Sequence, residues 1–140
     1  MMEHGQREDL YDVASILEMI NEIQSKAKLP FFQDILHDTI PTIFTTLDVT
    51  DPYVAYAFSP TSGPSFGTCY FRVEGINHSL VHLSLLYPID IEGNTINPME
   101  SPYGLKKTKS KITVPIQNFC SIQCVNPKLI NRQIIIIGDK

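Results

Sequence analysis

The sequence predicts a mainly β (α+β) fold in which an N-terminal amphipathic helix packs on a single antiparallel β-sandwich or barrel. One stretch near the start repeats apolar residues at steps of three and four, the period of a helix with one buried face. Downstream, several short segments alternate in a two-residue period between turn residues, which is typical of antiparallel strands. The chain of 140 residues is predicted to form one domain over residues 1–140, with a flexible N-terminus at residues 1–6.

The helix is predicted over residues 7–28. Acidic residues lie near its first turn and lysines near its end, an arrangement that the helix dipole favours. Pro30 ends the helix, because proline cannot donate a backbone hydrogen bond and restricts the residue before it. Residues 31–38 are ambiguous and form a short second helix in one interpretation. The stripe predicted to face the core comprises Leu10, Val13, Ile16, Leu17, Ile20 and Ile23.

The predicted strands follow Pro41, where β-branched residues become frequent. Pro, Gly, Asn and Ser are frequent in residues 88–110, so this segment is predicted to be a long loop with one short strand near residues 89–91. Longer strands are predicted at residues 42–47, 53–58, 69–74, 80–87, 111–124 and 132–137. The residues expected in the core lie on the apolar sides of these elements: Ile16, Ile20, Val73, Leu83, Leu85 and Val114.

Charge and hydropathy exclude several classes of protein. The chain has 11 basic and 15 acidic residues, a net charge of −4, which is unfavourable for binding a phosphate backbone, so no nucleic-acid partner is expected. No stretch approaches the roughly 20 consecutive apolar residues of a membrane span. The N-terminus is polar and has no apolar signal-peptide core, so we expect no signal peptide and synthesis in the cytosol.

The sequence shows no catalytic, cofactor-binding or metal-binding constellation. The sequence contains no nucleophile elbow, dinucleotide fingerprint or phosphate loop, and we expect that the protein is not an enzyme and needs no cofactor. His78 and His82 are separated by a four-residue step, which along a strand places them roughly 13 Å apart. That distance is too large for one metal ion, so no metal site is predicted.

Two features indicate contacts between chains, and each has a simpler alternative. The cysteines Cys69, Cys120 and Cys124 are odd in number, and a regular strand would point Cys120 and Cys124 to the same side. They are either small buried hydrophobes or candidates for an intermolecular disulfide. The β-branched run Ile134, Ile135, Ile136 and Ile137 either completes the internal sheet or is a candidate self-association strand.

Several segments together resemble one family, the spore outer-coat and exosporium morphogenetic proteins of the CotY, CotZ and ExsY type. The most specific of these segments are YFRVE and ITVPIQNFCSIQC, and the resemblance extends over most of the chain. The segments occur in the family's order: DVASILEMINEIQ (12–24), DTIPTIFTT (38–46), YFRVE (70–74), HSLVHLSLL (78–86) and ITVPIQNFCSIQC (112–124).

The resemblance implies a structural protein that is made in the mother cell of a sporulating Bacillus-type bacterium. Such a protein self-assembles into ordered layers of the spore coat or exosporium, with itself and other coat proteins as partners, and disulfides commonly harden the layer. This chain departs from the family in its few cysteines. It also has Pro115 where relatives tend to carry an acidic residue, which indicates an edge or bulge position because proline cannot donate to a strand ladder.

Two functions from different classes stay open at this point. The first is a self-assembling building block of the spore coat. The second is a small cytosolic protein-binding module, such as an immunity or adaptor protein, that acts through a β-face.

Overall fold

The computed structural model describes residues 2–32, 36–47, 49–57 and 65–134, and it describes the side chains of the first helix from Val13 onward. Helix α1 (Met2–Lys26) is followed by a 3-10 turn at Pro30–Phe32. The strands in these residues are β1 (Thr42–Thr46), β2 (Ala55–Ala57), β3 (Phe66–Thr68), β4 (Phe71–Asn77), β5 (Leu80–Ile89), β6 (Gly104–Pro115) and β7 (Phe119–Cys124).

Five of the strands form one antiparallel sheet in the order β6-β5-β4-β1-β7, and β2 pairs with β3 separately. Helix α1 packs against β4 and β7. The predicted mainly β fold with one helix on an antiparallel sheet is therefore confirmed. Among the described residues the sheet does not close into a barrel, so β6 and β7 form its two edges.

The sheet is strongly curled rather than flat. In a flat sheet the two edges would be four strand spacings, about 19 Å, apart. The link from Pro115 to Phe119 contains only the 3-10 turn Ile116–Asn118 and can reach about 14 Å at full extension. The pairing between β1 and β4 is also limited to one position, Thr42 opposite Phe71, so β1 and β7 bend away from the other strands.

The main core lies between the concave face of the sheet and α1. Phe44 and Phe71 are fully buried there, and the ring of Phe44 stacks on that of Phe119 with centroids 4.4 Å apart. Helix α1 contributes Leu17 and Ile20 to the same cluster. Of the expected core residues, Ile20, Val73, Leu83 and Leu85 are buried, and Val114 packs against the cluster while partly exposed.

The buried face of α1 differs from the predicted stripe. Ile16 was expected in the core, but it is 40% exposed. The buried positions are Leu17, Ile20, Gln24 and Ala27, which follow each other at steps of three and four. The prediction was right for Leu17 and Ile20 and wrong for Ile16, because it followed the apolar residues alone, whereas the polar residue Gln24 belongs to the buried stripe. The helix also begins at Met2 rather than near Arg7.

Several strand predictions need correction. Strand β6 begins at Gly104, inside the segment predicted to be a loop, and the predicted strand 111–124 is two strands on opposite edges of the sheet. Pro115, which was expected at an edge or bulge, is the last residue of the edge strand β6. The 3-10 turn Ile116–Asn118 follows Pro115 immediately and leads the chain to the other edge of the sheet. Phe31 opens the segment for which a short second helix was one interpretation, and it is 89% exposed in a 3-10 turn.

Candidate self-association edge

Strand β7 forms one edge of the sheet and presents most of its side chains to solvent. Its sequence, FCSIQC, contains no charged residue. Phe119 is buried and Ile122 is half-buried, because both side chains pack on the main core. The exposed residues of the strand are Cys120, Ser121, Gln123 and Cys124.

The register with β1 shows which backbone groups of β7 point outward. The N–H of Val125 donates to the carbonyl of Pro41 at 2.8 Å, and Gln123 lies opposite Ile43. Residues in an antiparallel pair alternate between bonding to the partner strand and pointing away from it. The N–H and C=O groups of Ile122 and Cys124 therefore point away from β1, and no strand pairs with them among the described residues.

A β-bulge separates the two cysteines of this strand. The register shifts between Thr45 and Thr46, and Cys120 is the additional residue. Its Sγ lies 3.5 Å from Thr45 Oγ1 and 3.5 Å from the carbonyl of Thr46, while the hydroxyls of Thr45 and Ser121 are also in contact. Cys124 instead shares the parity of Ile122, on the core side of the sheet. The expected same-side arrangement was wrong because it assumed a regular strand.

The third cysteine lies in a different environment. Cys69 is 3% exposed in a second, smaller core, and its Sγ contacts the carbonyl of Pro98 at 3.4 Å. Burial raises the pKa of its thiol, and burial together with the neighbouring Cys69 raises the pKa of Tyr70 to about 12. Burial also raises the pKa of Cys124. None of the three is bonded to another cysteine. Cys120 and Cys124 are exposed, so their thiols are within reach of a second molecule.

The opposite edge of the sheet is chemically different. Strand β6 exposes four lysines. Near the start of this strand, Leu105 forms an isolated parallel β-bridge with Ile130, which covers that end of the edge. Lysines on an edge strand hinder pairing with another chain, because the bound strand would bury or crowd their charges. The two edges therefore differ in their capacity for strand addition. The lysines are Lys106, Lys107, Lys109 and Lys111.

A charged cluster that was not predicted from the sequence lies on the convex face. The guanidinium of Arg72 donates to the carbonyl of Asp38 at 2.8 Å and to Glu74 at 2.7 Å. Ser84 donates a hydrogen bond to the other oxygen of Glu74, and Lys107 contacts Asp38 at 3.2 Å. The alternation of Arg72 and Glu74 on β4 was the available signal, since both side chains point to the same side of the strand.

This cluster makes stability depend on pH. Burial raises the pKa of Glu74, but hydrogen bonds from Ser84 and Arg72 and the charges of Arg72 and Lys111 outweigh it and hold the pKa below its usual value. A carboxylate with a lowered pKa in the native state stabilises the fold above its unfolded-state pKa, and this contribution is lost as the pH falls through the native pKa. In thermal melts between neutral and acidic pH, Glu74→Gln should show a smaller loss of melting temperature than the parent. Ser84→Ala should lie between them, and equal slopes in all three would contradict this assignment.

The remaining candidate residues do not form a common site. His78 lies in the β4–β5 turn with a φ of 56°, and His82 Nδ1 lies 2.9 Å from Thr113 Oγ1. Within the described part of the chain, no three His, Cys, Asp or Glu residues converge on a position for a metal ion. In the same residues, no helix has both the length and the apolar character needed to cross a membrane.

The C-terminal segment predicted as a strand at residues 132–137 is described only up to Ile134, and residues 132–134 lie outside any strand. Ile134 is half-buried and packs over Gly93, whose φ of 90° favours glycine. The chain before it is held by Tyr103, whose hydroxyl donates to the carbonyl of Gln133 at 2.7 Å. Ile135, Ile136 and Ile137 lie outside the described residues.

Comparison with known proteins identifies the family. The chain is 33% identical over 133 residues to spore coat protein Z of Bacillus subtilis (strain 168). The match covers 89% of this chain and 88% of the relative. No family model matches the chain, and no solved structure matches it. Identity at this level over nearly the whole of both chains, with the FRVE and FCSIQC segments placed on β4 and β7, shows that the chain belongs to the CotY/CotZ family of spore coat proteins.

Proposed function

We propose that this protein is a structural component of the spore coat or exosporium that self-assembles into an ordered layer or large oligomer around the endospore. The observation that best supports this proposal is the relationship to spore coat protein Z over nearly all of both chains. The uncharged edge strand β7 gives the molecule a surface that can bind another subunit through backbone hydrogen bonds. Its partners in this proposal are other copies of itself and other coat proteins.

The side chains of the described residues favour a structural role over a catalytic one. The charged cluster around Arg72 is internally satisfied, since its carboxylates accept hydrogen bonds from Arg72, Ser84 and Lys107. Such a network joins the segment before β1 to the sheet and stabilises the fold, because its charges are paired.

The proposal is tested by localisation and by assembly. A fluorescent fusion expressed from its own promoter in a sporulating Bacillus should form a ring at the spore surface after engulfment. The purified protein should form particles or sheets in negative-stain microscopy and sediment well above the mass of one chain. Diffuse cytosolic fluorescence together with a purified monomer would overturn the proposal and favour the small protein-binding module.

We propose further that Cys120 and Cys124 cross-link neighbouring subunits after assembly, whereas Cys69 does not. Both edge thiols are exposed and Cys69 is buried. A disulfide forms when two thiols lose two protons and two electrons to an oxidant, for which a small-molecule disulfide that is reduced to two thiols is sufficient.

The double variant Cys120→Ser, Cys124→Ser should assemble normally but dissociate at lower denaturant concentration than the oxidised parent. The parent should lose this resistance on addition of a reductant, because the added stability comes from covalent bonds between chains. Cys69→Ser is the matched control and should keep the cross-links. Particles of equal resistance in parent and double variant, with and without reductant, would show that the edge cysteines do not cross-link.

The C-terminal run of isoleucines is proposed as a second contact. If two subunits pair through their β7 edges, that two-fold contact closes a dimer, so a layer needs another interface on each subunit. Deleting residues 135–140 keeps the packing of Ile134 on Gly93 and should convert large particles into small oligomers. Negative-stain microscopy and thermal melts distinguish this result from unfolding, and unchanged particles would exclude the segment as the contact.

A further inference from the structure

The two edges of the sheet differ in what they offer to an incoming strand. Strand β6 exposes its lysines, while β7 has no charge between Phe119 and Cys124. The outward N–H and C=O groups of Ile122 and Cys124 are unpaired within the described residues, since Val125 and Gln123 bond toward β1. An extended segment added to β7 would satisfy these groups with backbone hydrogen bonds.

We infer that the strand which pairs with β7 is β7 of a second copy, in antiparallel orientation, so that one continuous sheet extends through both subunits. This inference rests on the proposed function and names the contact that begins assembly. A pairing between two β6 strands would place lysines opposite lysines, which is destabilising. A pairing of β6 with β7 would still bury the lysine edge. The uncharged β7 edge is the one edge in the described sheet that meets no such penalty when it pairs with itself.

The two-fold symmetry makes this contact self-complementary. In an antiparallel pair related by a two-fold axis, each subunit supplies the same groups, so the outward N–H and C=O groups of one copy face those of the other. The exposed side chain of Gln123 then lies directly or diagonally opposite Gln123 in β7 of the partner copy. A charge placed at Gln123 is consequently repeated across the axis.

The test compares two Gln→Lys variants that change the net charge equally. Gln123→Lys adds a lysine to the edge strand, while Gln117→Lys adds one to the exposed neighbouring 3-10 turn. Sedimentation velocity over a concentration series should show dimerisation up to about fivefold weaker for Gln123→Lys, the effect of like charges across a strand pair. Gln117→Lys should associate like the parent. Thermal melts of both variants confirm that each is folded.

A complementary pair of variants separates strand pairing from a general charge effect. Gln123→Glu alone should also weaken association, and an equimolar mixture of Gln123→Lys and Gln123→Glu should recover it. Cys124→Pro, which removes an outward N–H and keeps the bonds to β1, should weaken association in a folded protein.

The outcomes distinguish this inference from the proposed function. If the parent assembles and localises to the spore while Gln123→Lys and Gln117→Lys associate equally well, the β7 pairing is overturned and the coat function stands. A parent that stays monomeric at all concentrations would overturn both the pairing and self-assembly. Failure of the Lys and Glu mixture to recover association, with both single variants weakened, would also overturn strand pairing.

Discussion

Replacing Gln24 with alanine should lower the free energy of unfolding by about 3 kcal/mol or more, since each unsatisfied buried backbone group costs about 1–3 kcal/mol. The Gln24 side chain is 1% exposed. Its Nε2 donates to the carbonyl of Val73 at 2.8 Å, and its Oε1 accepts the N–H of Ile40 at 2.9 Å. The substitution removes partners from both groups and leaves a cavity between helix and sheet.

Urea denaturation measures this effect, and two further variants assign its cause. Gln24→Met keeps most of the volume and removes the hydrogen bonds, so it should be nearly as destabilising as the alanine variant. Glu22→Ala changes an exposed residue on the same helix that pairs with Lys26, and its cost should be below about 1 kcal/mol. A Gln24→Met variant as stable as the parent would show that packing, and not hydrogen bonding, explains the burial of Gln24.

Replacing Phe44 with alanine should cost about 3–5 kcal/mol, the range for a fully buried aromatic side chain. Phe44 is 0% exposed and its ring contacts those of Phe71 and Phe119, at centroid distances of 5.9 Å and 4.4 Å. These contacts join β1 to both β4 and β7, where the backbone pairing between β1 and β4 is limited to one position. Side-chain packing therefore supplies most of the attachment of the β1–β7 pair to the rest of the sheet.

Thermal melts should show the loss as a decrease of roughly 10 °C or more in melting temperature. Tyr56→Ala is the control, because Tyr56 is an aromatic residue of the neighbouring strand β2 that is 71% exposed. Its removal should change the melting temperature little. Equal melting temperatures for Phe44→Ala and the parent would contradict the assignment of Phe44 to the centre of the core.

The elements that the sequence predicted well are those with one apolar side facing the core. The alternation of residues 80–87 predicted β5, and residues 42–47 and 69–74 predicted β1 and the first part of β4. The first half of β6 was missed because its lysines, Thr108 and Ser110 show no apolar alternation. A strand at a sheet edge can be polar on both sides, so periodicity gives no signal for it.

The candidate edge could be predicted only in part. The sequence indicated that Cys120 and Cys124 lie on a strand, and β7 confirms the strand. Its position at an edge depends on pairing with β1, which is far away in sequence, and local periodicity contains no information about strand order. The bulge that separates the two thiols arises from the same long-range register.

The remote pairing of β1 with β7 has a consequence for the order of folding. The β4–β5 hairpin closes through a two-residue turn, and β6 pairs with β5 after the connection 90–103, so both pairings are local in sequence compared with that of β1 and β7. Thr42 and Cys124 pair across a loop of about 80 residues, whose closure costs more entropy and slows the formation of that contact. We expect the β4–β5–β6 unit to form first and the β7 edge last. A newly made chain would then complete its own fold before it offers a finished edge to a neighbour, which limits association between incompletely folded chains.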